Sequence, residues 1–193
     1  MQPSDIRLAG EETPEALRAA RDAAIQAAQV AMRDSTRLMR LLAILGEPIR
    51  LGELLDRALA TLSELFSAEV VVLLDPAGNG HFRPAAAVGL PEDAISQAFV
   101  ADEESPVAQV LRDSRVLAVE ASDGVAIDAQ LLEQGVQSSI WIPVKGSRST
   151  RGVLILGRCR PQEFLQTDIG LLSAMGYRLG IALEQAQRRQ QME

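Results

Sequence analysis

The chain is 193 residues long, carries a formal net charge of -7 and has Lys145 as its sole lysine and Cys159 as its sole cysteine. Hydrophobic residues reach 47% with aromatics at 3%, so the core is aliphatic, base stacking on rings is disfavoured, and the acidic balance without a basic patch argues against nucleic acid. One thiol rules out an internal disulfide framework and points to a reducing, cytoplasmic setting; no run approaches the ~20 apolar residues that span a bilayer, so no membrane is expected.

Residues 1–12 are polar and aperiodic and read as a flexible lead-in. Thr13-Pro14-Glu15 then opens a helix: a capping hydroxyl, a proline whose missing N–H costs nothing there, and an acid near the positive end of the dipole. Gly46 and Pro48 close it, which sets a long helical segment over 13–46. Within it Leu17, Ala20, Ala24, Ala27, Ala31, Asp34, Leu38, Leu41 and Leu45 alternate by three and four, a heptad seam broken once at Asp34. A second row, Ile25, Ala28, Met32, Ser35, Met39 and Leu42, widens the stripe beyond what a lone surface helix needs. A second copy of the chain is the simplest cover, giving a coiled-coil homodimer; folding back on its own domain is the alternative.

Leu51, Leu54, Leu55, Ala58, Leu62, Leu65 and Phe66 mark a second amphipathic helix that ends near Ser67. Glu69 to Leu74 is a strand, Asp75-Pro76-Ala77-Gly78-Asn79-Gly80 a turn, and Phe82 to Val88 the returning strand. From Gly89 to Gly135 the pattern is mixed: a helical stretch over Pro91 to Val100, a short helix from Ser105-Pro106 to Asp113, a strand over Val116 to Glu120, and another short helix over Asp128 to Glu133. Two runs, Ser138 to Lys145 and Gly152 to Arg158, form a hairpin about Gly146-Ser147-Arg148-Ser149-Thr150-Arg151. Both are apolar on successive residues, so both faces of their sheet need a cover. A helix capped by Thr167-Asp168 follows, with Ile169, Leu172, Gly176, Leu179, Leu183 and Ala186 in register, and fades into the charged tail Gln187 to Glu193.

This order resembles the GAF domain family, and the residues agree at several places. Ser139-Ile140-Trp141-Ile142-Pro143-Val144 is similar to the family's small-apolar-proline strand end. Arg151-Gly152-Val153-Leu154-Ile155-Leu156 is similar to its glycine-led strand, and Phe164 with Asp168, Leu171 and Leu172 to the opening of its last helix. Pro106-Val107-Ala108-Gln109-Val110-Leu111 followed by Val116-Leu117-Ala118-Val119 resembles the helix and strand that line the family's pocket. The match runs from about Leu41 to Ala186 and places one domain over 47–193. It implies an α+β fold: a six-stranded, mainly antiparallel sheet with the terminal helices on one face and an irregular lid over a pocket on the other. It also implies dimers through the terminal helices that pass ligand state to an output domain. No output domain is legible in these residues, so a separate partner such as a kinase or regulator is expected to receive the signal.

The family's chemistries can be weighed one by one. Bilin attachment needs a cysteine on the excursion, usually before a histidine; Cys159 ends a strand and precedes Arg160, and reads better as a small apolar filler. Haem needs an imidazole in the pocket, and His81, the only one, follows the Asn79-Gly80 hairpin tip. Cyclic nucleotide is disfavoured because Asp102-Glu103-Glu104-Ser105-Pro106 sets three acids and a donor-less proline at the helix start where phosphate would sit. The sulfoxide-reducing members resemble one another in a pair of thiols, and a Ser-His triad would have to recruit His81, so a non-catalytic protein is expected. Metal sites built from several His or Cys are excluded by count, whereas the counts leave a carboxylate site open.

What is left is a pocket of modest polarity for a small non-anionic ligand. Phe99, Val107, Val119, Leu132 and Trp141 are its candidate walls, and Ser105, Asp123 and Ser138 its candidate polar contacts, each against the alternative of ordinary core, cap or turn. Lys145, Arg148 and Arg151 around the last turn read as a solvated tip. Gly176 and Gly180 each cost up to ~1 kcal/mol against Ala in a helix, which close packing of that face would offset. The expectation is a homodimeric sensory module; a ligand-free dimerisation or protein-interaction scaffold is the alternative.

Overall fold

The computed structural model describes residues 13–47, 49–120, 128–147, 150–162 and 164–191. The lead-in 1–12, Pro48, Asp123, Arg148 and the end of the tail therefore lie outside the described residues.

The chain runs α1 (Pro14–Leu45), α2 (Leu51–Phe66), β1 (Val70–Gly78), β2 (His81–Val88), α3 (Glu92–Ile95), β3 (Phe99–Val100), α4 (Pro106–Asp113), β4 (Leu117–Glu120), α5 (Ala129–Glu133), β5 (Ser138–Lys145), β6 (Thr150–Arg158) and α6 (Gln166–Gln190). The strands make one six-stranded sheet in the order β3-β2-β1-β6-β5-β4, and every neighbouring pair is antiparallel. This is the α+β architecture that the resemblance implies, and the two apolar runs are covered on both faces as expected: β5 is buried from Ser138 to Val144 and β6 from Gly152 to Arg158.

Because side chains alternate across a strand, burial on successive residues divides into two layers. On one face Ile140, Ile142 and Val144 of β5 join Leu154 and Leu156 of β6 and Val71 and Leu73 of β1. There they meet Leu55, Leu59, Leu62 and Phe66 of α2 and Leu172, Met175, Leu179 and Leu183 of α6. On the other face Trp141, Val153, Ile155, Val70, Val72 and Leu74 meet Phe82, Phe99, Val107, Val110, Val119, Leu131 and Val136.

Two compact units make up the chain, with the division after Arg37. The first unit contains α1 up to that residue, where Leu17, Ile25, Val30 and Met32 are all exposed. The second unit begins at Leu38, and Leu38, Leu41 and Leu45 belong to its own core. The lower third of the heptad seam is thus committed inside the domain.

Helix boundaries follow the capping signals with two exceptions. Thr13 Oγ1 accepts from the Ala16 amide at 3.3 Å, and Ser67 closes α2 in the left-handed region at φ 49. The stretch expected to be helical over Pro91 to Val100 is one turn, α3, followed by a strand: Phe99 pairs with Phe82 and Val100 with His81, since β2 offers an open edge there. In α6 it is Leu165, not Thr167, that stands at the N-cap, because Phe164 is buried and pulls the start of the helix upstream.

Candidate functional site

The irregular cover is built from α3, β3, α4, β4 and α5. Ser105 starts α4: its hydroxyl donates to the Asp102 carbonyl at 2.9 Å and accepts from the Ala108 amide at 3.2 Å, with Pro106 in the first turn. Gln109 and Arg112 donate to the Glu104 and Glu103 carbonyls, so α4 folds the acidic 102–104 segment back on itself and leaves its carboxylates exposed. The exposed acids disfavour an anion at this helix start.

Phe99, Val107, Val119 and Trp141 come together in the buried cluster beneath the cover. The Trp141 indole is fully buried and donates to Ser139 Oγ at 3.0 Å, which meets the requirement of a buried N–H. Two expected residues fall elsewhere. Leu132 is exposed, and its neighbour Leu131 takes the core position, because a five-residue helix turns only one of two adjacent leucines inward. Ser138 has the parity of Ile140 and Ile142, on the face opposite Trp141, and its hydroxyl is within hydrogen-bond reach of the Arg160 and Gln162 carbonyls at 3.2 and 3.0 Å. It ties down the loop that leads to α6.

Two polar residues of the cover are not marked by any strong sequence signal. Asp128 caps α5 through the Gln130 amide at 2.9 Å, and burial holds its carboxyl above the ordinary range against that bond, with Asp102 adding to the rise. Gln130 Nε2 donates to the Ala98 carbonyl at 3.1 Å, while its Oε1 is buried with no partner. The Asp-x-Gln spacing at a helix start is the one trace of them in the sequence.

The remaining titratable groups sit apart from this cluster. His81 is exposed at the β1–β2 hairpin. Cys159, expected as an apolar filler, is instead exposed; β6 ends at Arg158 and the next residue leaves the sheet, with Sγ 3.5 Å from the Gln134 carbonyl. Arg158 is buried at 5% exposure, donates to the Phe66 carbonyl at 2.8 Å and lies 4.0 Å from the Phe164 ring centroid, pinning the end of α2 to the sheet. Lys145 donates to the Ser114 carbonyl and Arg151 is partly buried, so these two do not form a solvated tip. Among the described residues no helix is long and apolar enough to cross a membrane, and no three His, Cys, Asp or Glu side chains gather as metal ligands.

A family model described as GAF domain matches residues 50–183. Among solved structures, the GAF domain of a phosphoenolpyruvate-protein phosphotransferase from Coxiella burnetii is similar at a TM-score of 0.72 and 15% identity, over 83% of this chain and 98% of that one. The corresponding GAF domain from Acinetobacter is similar at 0.69 and 18%, over 82% and 97%. A phycocyanobilin-bound GAF domain from a cyanobacterial phytochrome is similar at 0.67 and 18%, over 81% and 96%. At these identities the likeness is one of fold. No curated protein matches the chain.

Proposed function

Since this chain belongs to the GAF domain family, a family of sensory and signalling modules, we propose that it is a non-catalytic sensory module of the cytoplasm. In this reading it homodimerises through its terminal helices and takes a small non-anionic ligand beneath the cover of α3 to α5. One observation carries the reading. The first unit of α1 leaves Leu17, Ile25, Val30 and Met32 exposed on a helix whose small residues, Ala20, Ala24, Ala27 and Ala31, permit close approach of a second copy. Asp34, engaged by Arg37 at 3.7 Å, sets the register at a cost in stability.

On the ligand side, the exposed Asp102, Glu103 and Glu104 oppose an anion, and the unpartnered Gln130 Oε1 favours a guest that donates hydrogen bonds. The signal passes to a separate protein, a kinase or regulator. A second reading, a ligand-free interaction scaffold, is favoured by the Trp141 indole finding its partner in Ser139 rather than in a guest.

Sedimentation equilibrium at micromolar concentration tests the dimer: a dimer is expected, reduced to monomer by Leu17→Asp with Ile25→Asp, and a monomeric parent defeats the reading. Native mass spectrometry of the purified chain, followed by analysis of what a denaturant releases, tests the ligand. A bound metabolite supports the sensory module, and a chain that carries and takes up nothing supports the scaffold.

A further inference from the structure

Helix α1 carries two apolar rows that meet different fates. The first row ends in Leu38, Leu41 and Leu45, which pack into the core that α2 and α6 share, with Leu41 fully buried. At its C-terminal end that row is already taken. The second row, Ile25, Ala28, Met32, Ser35, Met39 and Leu42, stays open over its length. Ile25, Met32 and Met39 are 49%, 74% and 65% exposed, Ala28 and Ser35 are exposed, and Leu42 is half-buried. The same three-four spacing continues toward the N-terminus into Arg21 and Arg18, both exposed. An apolar row this long on one continuous helix calls for a cover.

The order of side chains along the row selects the cover. Large Ile25, Met32 and Met39 alternate with small Ala28 and Ser35. Two copies running parallel in register would set each of these against itself, so overfilled layers would alternate with underfilled ones. Arg18 and Arg21 would also meet their own counterparts, like charge on like. An antiparallel pair centred on Val30 removes both faults. It sets Met32 on the partner's Ala28 and Ile25 on the partner's Ser35, and the two-fold axis makes each contact twice. The aliphatic stems of Arg18 and Arg21 then lie over the partner's Leu42 and the partner's Met39. The Arg21 guanidinium keeps a counterion at the rim, since Asp22 holds it at 3.0 Å.

Val30 also stands at the middle of α1, so this register overlaps the helices from Glu15 to Leu45, about 46 Å or about four heptads. A slip of one heptad sets Ile25 against the partner's Leu42 in one direction and Met32 against the partner's Arg21 in the other. We propose that the second row of α1 takes a second copy of this chain in antiparallel orientation, centred on Val30. The proposal rests on the dimer reading above and adds the helix face and the direction that it leaves open. Ala24 and Ala31 flank the row and admit the close approach. The two domains then stand at opposite ends of the helix pair.

Disulfide trapping tests the proposal in the full chain carrying Cys159→Ser, once sedimentation equilibrium has established the state of the unsubstituted chain. Ala28→Cys and Met32→Cys are made in separate chains of different mass, mixed, allowed to exchange and oxidised. Only Cβ atoms about 3.5–4.5 Å apart bridge without backbone movement, so the mixed 28–32 disulfide is expected at least about tenfold above either self-pairing. Met32→Cys pairing with itself as readily overturns the proposal and leaves a parallel dimer. A dimer that traps neither also overturns it and places the contact on another face. A monomeric unsubstituted chain removes the dimer reading and the proposal together. Nitroxide labels on Ala19→Cys, outside the row, give a second readout that leaves the row intact. The proposed pair separates them by about 33 Å along the helix axis, and labels found level with one another overturn it.

Discussion

Gly180 of α6 lies so close to Lys145 of β5 that a Cβ at position 180 would stand 2.2 Å from the Lys145 carbonyl oxygen. Gly176, one turn earlier, is held likewise: a Cβ there would come within 2.9 Å of the Pro143 carbonyl oxygen. The two glycines let the last helix lie directly on the backbone of β5, which is how close packing offsets their poor helix propensity. Gly170, on the same helix, has nothing within 4 Å of its missing Cβ.

Gly180→Ala is expected to destabilise the domain by about 1–3 kcal/mol, because overpacking against backbone outweighs the gain of up to ~1 kcal/mol in helix propensity. Gly170→Ala meets no obstacle and should stabilise by up to ~1 kcal/mol. Urea midpoints of the two variants check this, and equal effects at the two positions would contradict it.

Ser139 and Trp141 provide the second test. Ser139→Ala removes the acceptor that the buried indole N–H has among the described residues, at an expected cost of about 1–3 kcal/mol. Trp141 is the only tryptophan, so its fluorescence reports unfolding without a label. A Ser139→Ala variant as stable as the parent would mean the indole finds another partner.

Glu184 makes stability depend on acid. Its carboxyl is lowered from 4.5 to about 2, first by the Ser147 amide and then by the Ser147 hydroxyl, with Arg188 adding to the effect. Between those values the unfolded chain binds the proton that the folded chain refuses. The contribution is therefore complete above about pH 4.5 and is lost as pH falls toward 2. Denaturation midpoints taken down through this window should fall less steeply in Glu184→Gln than in the parent, and matching slopes would rule the clasp out.

Cys159 is exposed, yet burial of its surroundings and, second, the Glu69 carboxylate push its thiol pKa up. Iodoacetamide should modify it in the folded protein, but at about pH 8 more slowly than in the denatured chain, since only the thiolate reacts. Mass spectrometry over time gives both rates. A folded rate equal to or above the denatured one would show that the thiol is not held protonated.

Much of this molecule was legible in one dimension. Continuous apolar residues in Ser138 to Val144 and Val153 to Leu156 demand two covered faces, and Ser105-Pro106 and the three-four spacing of α2 mark their helices, because these signals are local and periodic. What stayed hidden depends on partners distant in sequence. Phe99 became a strand residue because β2 presented an edge to it, and Leu131 rather than Leu132 turned inward because the sheet lay on that side. The parity of Ser138, the exposure of Cys159 and the unpartnered Nη1 of Arg151 were decided in the same way. Composition and periodicity determine which segments must be buried and as what; which polar atoms are left buried without a partner is decided only when strands and helices far apart in the chain are brought side by side.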